Sequence, residues 1–535
     1  MPVTELASNL IHRVNVGDSL TRTAARFPDR PAVVDGERRL TYAELNAWVN
    51  RFAHGLADRG YGRGDALALA SGNTAEFLVV YYACAKLGVV CVPVNLGWRA
   101  DEVAYVLDHS EARGLVVERQ LAAAMAPAVA QVAKVRDVVL APGTRDGDGV
   151  PDFGDRDVIS FDDLASDDAS EPEAVVGDRD PITYLYTSGT TSAPKGVVGN
   201  HTAIYLESMT MALEARFDEH DRFVAMMPMF HTAQLNCHCS AAVMVGACLY
   251  IERGFDAARL LATIEAERIT QIFGLPMMYR ALLEHADIAK RDLSSLRRAL
   301  YAMAPMPEAQ LRACIEVFGC DLYLLFGQTE MSPTATLFRP EHQLTHNGAA
   351  GSPVANVQVA IMDGEGGLMP TGAEGEIVYR GPHTMTEYLK NPEATEAAFA
   401  HGWFHSGDVG AFDADGLLWF RDRTKDVIKS GGENVASIEV EKAIYAVGGD
   451  EVAEVVVIGL PHERWSEAIT AVVVPRPGVT IDAERLIAAV KGVIDPYKAP
   501  KAVIVLDDLP RTSTGKIQKN VVRDEHRHHY SPPEA

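Results

Sequence analysis

Runs of apolar residues alternate with amphipathic ones along most of the chain, the pattern of an α/β protein. Thr41, with Glu44 three residues on, forms a capping box, and Tyr42, Leu45, Val49 and Phe52 predict a helix behind it. Residues 66–70 (ALALA) read as a buried strand, Phe77 to Gly88 as a helix and 89–94 (VVCVPV) as a second strand. Strand, helix and strand in that order predict parallel pairing with a right-handed crossover. The pattern recurs at 182–186 (ITYLY), at the helical stretch from His201 to Phe217 and at 222–228 (RFVAMMP). Near residue 422 the texture changes. DRTKDVIKSGGENV mixes charge with glycine between LLWF (417–420) and a helix starting near Ser437. This predicts a domain boundary, followed by a small α+β unit with strands at 454–460 and 468–475. The expected fold class is therefore α/β. A large N-terminal lobe, 1–421, holds mixed and parallel sheets flanked by helices, and a small C-terminal domain follows.

Composition narrows the function. The 535 residues include 49 Lys/Arg and 73 Asp/Glu, a net charge of −24, with 47% apolar and 23% charged residues. These values belong to a packed protein, not a disordered, collagen-like or disulfide-scaffold chain. The mean field has the wrong sign for gripping nucleic acid or an anionic membrane. A polyanionic small ligand in a local positive pocket stays possible. Residues 143–180 hold 13 Asp/Glu against 3 Arg and read as a solvated surface connection. None of the seven cysteines forms a CxxC pair. Cys237 and Cys239 flank His238, with His231 upstream, but a metal site would need a second ligand pair; buried thiols in a reducing compartment fit better. The longest apolar run, Phe77 to Ala85, is nine residues, against roughly 20 for a bilayer span. The N-terminus lacks a basic stretch followed by an apolar core. The expectation is a cytoplasmic protein with no membrane span.

The segment Tyr186–Gly196 (YTSGTTSAPKG) carries the clearest chemistry. Thr187, Ser188, Thr190, Thr191 and Ser192 surround Gly189, and Lys195 follows. Hydroxyls, backbone N–H groups and an ammonium are donors suited to phosphate oxygens. The order Lys195-Gly196 is not that of a Walker A loop. Composition alone leaves a hydroxyl-rich turn equally open.

The segment resembles the phosphate-binding signature of the adenylate-forming superfamily: acyl-CoA synthetases, free-standing adenylation domains and beetle luciferases. Further motifs similar to that family's follow in order over almost the whole chain. Met227–His231 is similar to its Pro-x-Phe-His segment, which implies that His231 stands between an acyl pocket and the pantetheine tunnel. Tyr301–Met306 resembles Gly-Gly-Ala-Pro-Leu. Ala304 and Pro305 match, while Ala302 and Met303 exceed the small, often glycine, residues expected there. Leu325–Glu330 resembles Tyr-Gly-x-Thr-Glu with Phe326 for the tyrosine. The resemblance implies adenine against Phe326, the α-phosphate at Thr329 and Mg²⁺ on Glu330. Trp403–Asp408 places Asp408 as acceptor for the ribose hydroxyls, with Arg423 as donor and Lys425 as the hinge of a mobile C-terminal domain (hinge 422–425, domain 426–535). Ser430, Gly431 and Gly432 match the pantetheine-lining loop, and Leu509–Ile517 the segment of the catalytic lysine, Lys516.

The resemblance thus implies an AMP-forming carboxylic acid–CoA ligase using ATP, Mg²⁺ and CoA. ATP is held by Thr187, Ser188, Gly189, Thr190, Thr191, Lys195, Ala304, Pro305, Phe326, Gly327, Gln328, Thr329, Asp408, Arg423 and Lys516, with Lys516, Glu330, Thr187 and His231 as the catalytic set. The acyl pocket takes His231, Ala233, Gln234, Asn236, Met303 and Met331. It is methionine-rich and partly polar at Gln234 and Asn236, suiting a medium-chain, branched or aromatic acid. Other readings are an enzyme loading a carrier protein or making acyl-AMP only, a luciferase-like oxygenase, and a non-catalytic acyl- or nucleotide-binding regulator. Partners are small molecules, with no nucleic acid, and the chain is a monomer or homodimer by analogy.

Overall fold

The computed structural model describes residues 4–143, 149–187, 194–304, 306–449, 451–512 and 517–530. They group into two compact units, Met1–Val359 with Tyr379–Phe404, and Ala360–Val378 with His405–Ala535.

Two sheets build the first unit. A seven-stranded sheet has the spatial order Asp157–Ser160, Asp137–Ala141, Ala112–Glu118, Ala66–Ala70, Val90–Pro93, Pro181–Thr187, Lys195–Asn200. Every neighbouring pair is parallel except the last. A nine-stranded sheet runs Ser352–Pro353, Thr334–Phe338, Asp321–Gly327, Arg298–Ala302, Gln271–Gly274, Arg222–Ala225, Cys248–Ile251, Pro31–Asp35, Arg38–Thr41. It is parallel from Asp321–Gly327 to Pro31–Asp35 and antiparallel at both edges. Ala66–Ala70 is buried throughout, as a parallel strand covered on both faces must be, hence its unbroken apolar run. The helix Ala75–Leu87 is buried on every side, so its sequence carries no polar stripe. Thr41 caps the helix Tyr42–Asp58 with its reciprocal bond to Glu44 in place.

The second unit has its own core. Glu433–Val435, Ile428–Ser430, Ser466–Pro475 and Val452–His462 form a sheet in that order, and Ala502–Val505 pairs parallel with Ser466–Pro475. The two long strands are antiparallel, with Val457 opposite Ala471. Buried residues of the helices Ser437–Gly448 and Ala483–Val490 join the apolar residues of this sheet in one cluster. A further sheet, ordered Gln358–Met362, Gly375–Arg380, Phe404–Phe412, Leu418–Arg423, carries Asp408 and Arg423 on its last two strands. Residues 405–421 thus group with the second unit. They lie upstream of the change in texture at 422, because their alternating strand pattern looks like that of the preceding residues.

The acidic stretch 143–180 is more than a solvated connection. Asp157–Ser160 is an edge strand, and Phe153, Phe161, Leu164 and Val176 are buried. The Phe161 ring stacks on Phe52 at 4.4 Å. Glu171 accepts at 2.6 Å from the ammonium of buried Lys86, which also donates to Asn46 (2.8 Å) and Asn50 (2.7 Å). Single apolar anchors spaced among many carboxylates leave no periodicity, which is why composition misreads the segment. The helix Tyr42–Asp58 meets this segment closely enough that a Cβ on Gly55 would stand 1.8 Å from the Leu164 carbonyl oxygen. Gly55→Ala therefore costs about 1–3 kcal/mol, the range for overpacked contacts, and lowers the urea midpoint. Gly62→Ala, whose Cβ meets open space, leaves the midpoint in place; equal shifts would refute the contact.

Candidate active site

In the first unit the motif residues stand at the C-terminal ends of parallel strands, where α/β sheets open to ligands. Thr187 ends Pro181–Thr187 and is paired with Lys195, which begins the antiparallel return strand. Ser188, Gly189, Thr190 and Thr191 lie outside the described residues. Phe326 and Gly327 end Asp321–Gly327, and Gly327 is paired with Thr334 of another antiparallel return. A Cβ on Gly327 would stand 1.9 Å from the Pro333 carbonyl oxygen, so only glycine fits. Gln328 donates its backbone N–H to that oxygen at 3.0 Å, and Thr329–Met331 forms one 3₁₀ turn. One Glu330 carboxylate oxygen accepts from the Tyr388 hydroxyl at 2.8 Å, and its backbone carbonyl accepts from Met385 N–H at 2.7 Å. The Lys195 ammonium lies 4.7 Å from the centroid of the Tyr388 ring.

Met303 and Ala304 follow the strand Arg298–Ala302, and Pro305 lies outside the described residues. Met303 is half exposed with φ +77°. This left-handed conformation explains why glycine is the residue expected in that motif; methionine holds it at some cost. His231 leads into the π-helical turn Ala233–Cys239, and its Nδ1 accepts from Ala233 N–H at 3.3 Å. Gln234 and Asn236 are buried. The Gln234 carbonyl accepts from Met227 N–H at 3.1 Å. Asn236 donates to Thr232 at 3.0 Å and accepts from Tyr81 at 3.4 Å. Their polarity is thus spent within the wall that carries them. Met331 is also buried and takes a contact from the Thr384 hydroxyl at 3.6 Å. Burial pushes the Cys237 thiol up and the Cys239 thiol up to about 12, which leaves both unreactive near neutral pH. His238 stacks on Phe273 at 4.2 Å, and burial lowers its pKa to about 4.

In the second unit the register places Asp408 directly opposite Arg423, and their side chains form an ion pair at 2.7 Å. Asp408 is almost wholly buried. Lys425 is exposed. Ser430 ends Ile428–Ser430 and is buried; Gly431 donates its N–H to the Trp465 carbonyl at 2.8 Å. Arg464 and Lys501 both lie over the Trp465 ring, at 4.6 and 5.3 Å. Lys516 lies outside the described residues. On either side of it, Gln518 donates to the Pro510 carbonyl at 2.8 Å, and Arg511 bridges Ile517. Lys519 beyond it donates to Ser437 (2.6 Å) and pairs with Glu441 (2.7 Å).

Residues 20–389 match the AMP-binding enzyme family, and 439–516 match the AMP-binding enzyme C-terminal domain. The chain belongs to the AMP-binding enzyme family. It is 35% identical over 508 residues to a feruloyl-CoA synthase of an Amycolatopsis species, covering 95% of this chain and 98% of that protein. It is 34% identical over 515 residues to the long-chain-fatty-acid–CoA ligase FadD13 of Mycobacterium tuberculosis, covering 96% and 98%. Its fold is similar to ATP-bound MatB of Rhodopseudomonas palustris, with TM-score 0.87, 29% identity and coverage of 97% and 100%. This AMP-binding enzyme is an adenylate-forming acyl-CoA synthetase, an acid–thiol ligase. No described helix is long and apolar enough to cross a membrane.

Sequence reasoning about this AMP-binding enzyme missed Tyr388 and Trp465. Neither lies in a motif; Tyr388 stands three residues before the Asn391 cap of the helix Pro392–Ala398, the only local signal near it. His201 is a second buried histidine whose pKa burial lowers to about 4, and its Nδ1 accepts from Val16 N–H at 3.2 Å. Folded-state values below the unfolded 6.5 mean that the unfolded chain binds more protons as pH falls from 6.5 toward 4, so stability falls with it. Between pH 7 and pH 5 the loss is about 2 kcal/mol for each histidine. Denaturant unfolding at the two pH values reads it, and His238→Phe, which keeps a ring against Phe273, should flatten the slope. An unchanged slope in that variant would show that His238 does not contribute.

Proposed function

We propose that the first unit of this synthetase binds ATP and the acid across the strand ends that carry Thr187, Lys195, Ala302–Ala304 and Phe326–Glu330, and that the second unit supplies Asp408, Arg423, Lys516 and the Ser430–Gly432 loop. The observation that carries this reading is the meeting of the Glu330 carboxylate and the Lys195 ammonium on one tyrosine, beside the strands that flank the hydroxyl-rich loop. Lys195 and the hydroxyls from Thr187 onward take the phosphates. Asp408, held by Arg423, accepts from the ribose through its remaining acceptor sites.

Among the described residues, no group of three or more His, Cys, Asp or Glu is placed to hold a metal ion. A lone carboxylate is what Mg²⁺ needs when substrate phosphates and water complete its shell, so Glu330 fits. Bound with the nucleotide, the ion neutralises phosphate charge. In the first half-reaction a carboxylate oxygen of the acid attacks the α-phosphorus and pyrophosphate leaves, with Lys516 stabilising the developing charge. In the second, the CoA sulfur attacks the acyl carbonyl and AMP leaves. Lys425 is the pivot at which the chain exchanges Lys516 for the Ser430–Gly432 loop between the two steps. The cations around Trp465, next to Gly431, suit the polyphosphate end of CoA and favour CoA over a carrier protein.

The acid is medium-chain, branched or aromatic. Gln234 and Asn236 turn their amides inward, so the wall beside His231 is less polar than its sequence. Met303 and Met331 bring adaptable apolar surface. A panel of aromatic, branched, medium-chain and small dicarboxylic acids, assayed by pyrophosphate release, should give the highest kcat/KM among the first three; preference for a dicarboxylic acid would overturn this assignment. Lys516→Ala should slow adenylate formation by at least about 100-fold while largely sparing thioester formation from preformed acyl-adenylate. Equal loss in both would end the division of labour.

A further inference from the structure

The stretch Thr384–Leu389 belongs to none of the motifs, yet it is bonded to both strand ends of the nucleotide side. Thr386 donates its N–H to the Val198 carbonyl at 2.9 Å, Val198 donates to the Glu387 carbonyl at 3.0 Å, and Leu389 donates to the Gly196 carbonyl at 2.8 Å. The Thr386 hydroxyl also accepts from Asn200 at 2.9 Å. This is an antiparallel bridge onto the strand Lys195–Asn200, with Val197 opposite Tyr388. Met385 N–H then donates to the Glu330 carbonyl at 2.7 Å. One residue before the stretch, buried His383 stands 3.3 Å from buried Glu207 on the helix His201–Glu214. The stretch is therefore a strap tying the return strand behind the hydroxyl-rich loop to the turn that carries Glu330.

Tyr388 lies on this strap between two groups of opposite charge. Its hydroxyl donates to Glu330 at 2.8 Å, and its ring face lies 4.7 Å from the Lys195 ammonium. A hydrogen bond from a fixed phenol sets the plane of a carboxylate, and ligand orientation by an outer partner raises metal affinity. An aromatic face holds an ammonium without neutralising it, as a carboxylate would. We propose that Tyr388 is a positioning residue for adenylate formation: it orients Glu330 through its hydroxyl and Lys195 through its ring, and keeps the two charges on separate parts of one side chain. This rests on the reading of Glu330 as the Mg²⁺ ligand.

Three variants test it: Tyr388→Phe removes only the hydroxyl, Tyr388→Leu removes hydroxyl and ring, and Glu330→Gln tests the underlying reading. Tyr388→Phe should slow pyrophosphate release about tenfold, the weight of one hydrogen bond to a charged group. It should also raise both the half-saturating Mg²⁺ concentration and the dissociation constant of Mg·ATP by calorimetry several-fold. Thioester formation from preformed acyl-adenylate and the thermal midpoint should stay as in the parent. Tyr388→Leu should weaken Mg·ATP further, because Lys195 loses its platform. In a Glu330→Gln background, Tyr388→Phe should add nothing. A Tyr388→Phe protein with parental Mg²⁺ dependence and Mg·ATP affinity, beside a Glu330→Gln protein in which both are impaired, overturns the proposal and leaves the Glu330 reading standing. Equal loss in both half-reactions with a lowered midpoint reduces Tyr388 to a packing residue. A Glu330→Gln protein with unchanged Mg²⁺ dependence overturns the Glu330 reading, and the positioning role with it.

Discussion

A parallel sheet must stop somewhere, and its last strand presents backbone donors and acceptors that need partners. In the first unit each sheet meets this constraint at one edge with an antiparallel return next to a parallel strand. Lys195–Asn200 returns beside Pro181–Thr187, and Thr334–Phe338 beside Asp321–Gly327. Each return forces a reversal at the C-terminal end of a parallel strand. Those two reversals carry the hydroxyl-rich loop with Lys195, and Thr329 with Glu330. The outer side of Lys195–Asn200 still needs partners, and Thr384–Leu389 supplies them. Satisfying one strand's hydrogen bonds thereby brings Tyr388 to Glu330. The placing of Lys195, Glu330 and Tyr388 side by side is a consequence of edge pairing.

Charge works against this site in the aggregate and for it locally. A chain at −24 repels two of its substrates, ATP and CoA. Screening limits that repulsion to about 8–10 Å at physiological salt, so the groups within reach of the phosphates decide. Lys195 is held on an aromatic face, where its charge stays available. Many acidic groups are paired: Glu171 with Lys86, Asp180 with Arg63, Asp221 with Arg298. The excess acidity of 143–180 is partly structural, with Glu171 fastening this segment to the helix Ala75–Leu87 and Asp180 to Arg63 in the loop before Ala66–Ala70. The opposed ion pair Asp408–Arg423 neutralises a carboxylate that burial alone would disfavour.

Most of the architecture was legible because burial writes itself into sequence. Ala66–Ala70, Ala75–Leu87 and Val452–His462 are unbroken or nearly unbroken apolar runs, and all three are covered by neighbouring layers. The segments Thr187–Lys195 and Thr329–Glu330 stand out in the sequence because particular residue types recur there at fixed spacing. Tyr388 does not, because its role arises from the pairing of a strap with a strand nearly two hundred residues away in sequence, and no local pattern encodes that. The buried anchors of 143–180 were hidden for the opposite reason: Phe153, Phe161 and Leu164 stand singly among carboxylates, so composition outweighed them.

The wall next to His231 shows how polarity in sequence can mislead about a ligand. AQLNCHC looks like a partly polar pocket lining. Yet the segment is a π-helical turn, whose widened backbone breaks the regular i→i−4 ladder and leaves groups in need of other partners. Gln234 answers Met227 N–H, His238 bonds the Ala233 carbonyl at 2.8 Å, and Ser240 donates to the Leu235 carbonyl at 3.1 Å. Asn236 is engaged by Thr232 and Tyr81. His238 and Ser240 thus serve the irregular backbone, while Gln234 ties the turn to Met227 ahead of it and Asn236 is held between two side chains. Polar groups already paired this way cannot reward a polar substrate without breaking those bonds, each worth about 1 kcal/mol net and more when a buried group is left unpaired. For the proposed acyl pocket this leaves the fit to the apolar neighbours of the turn, and that shifts the balance toward acids whose tails carry no charge.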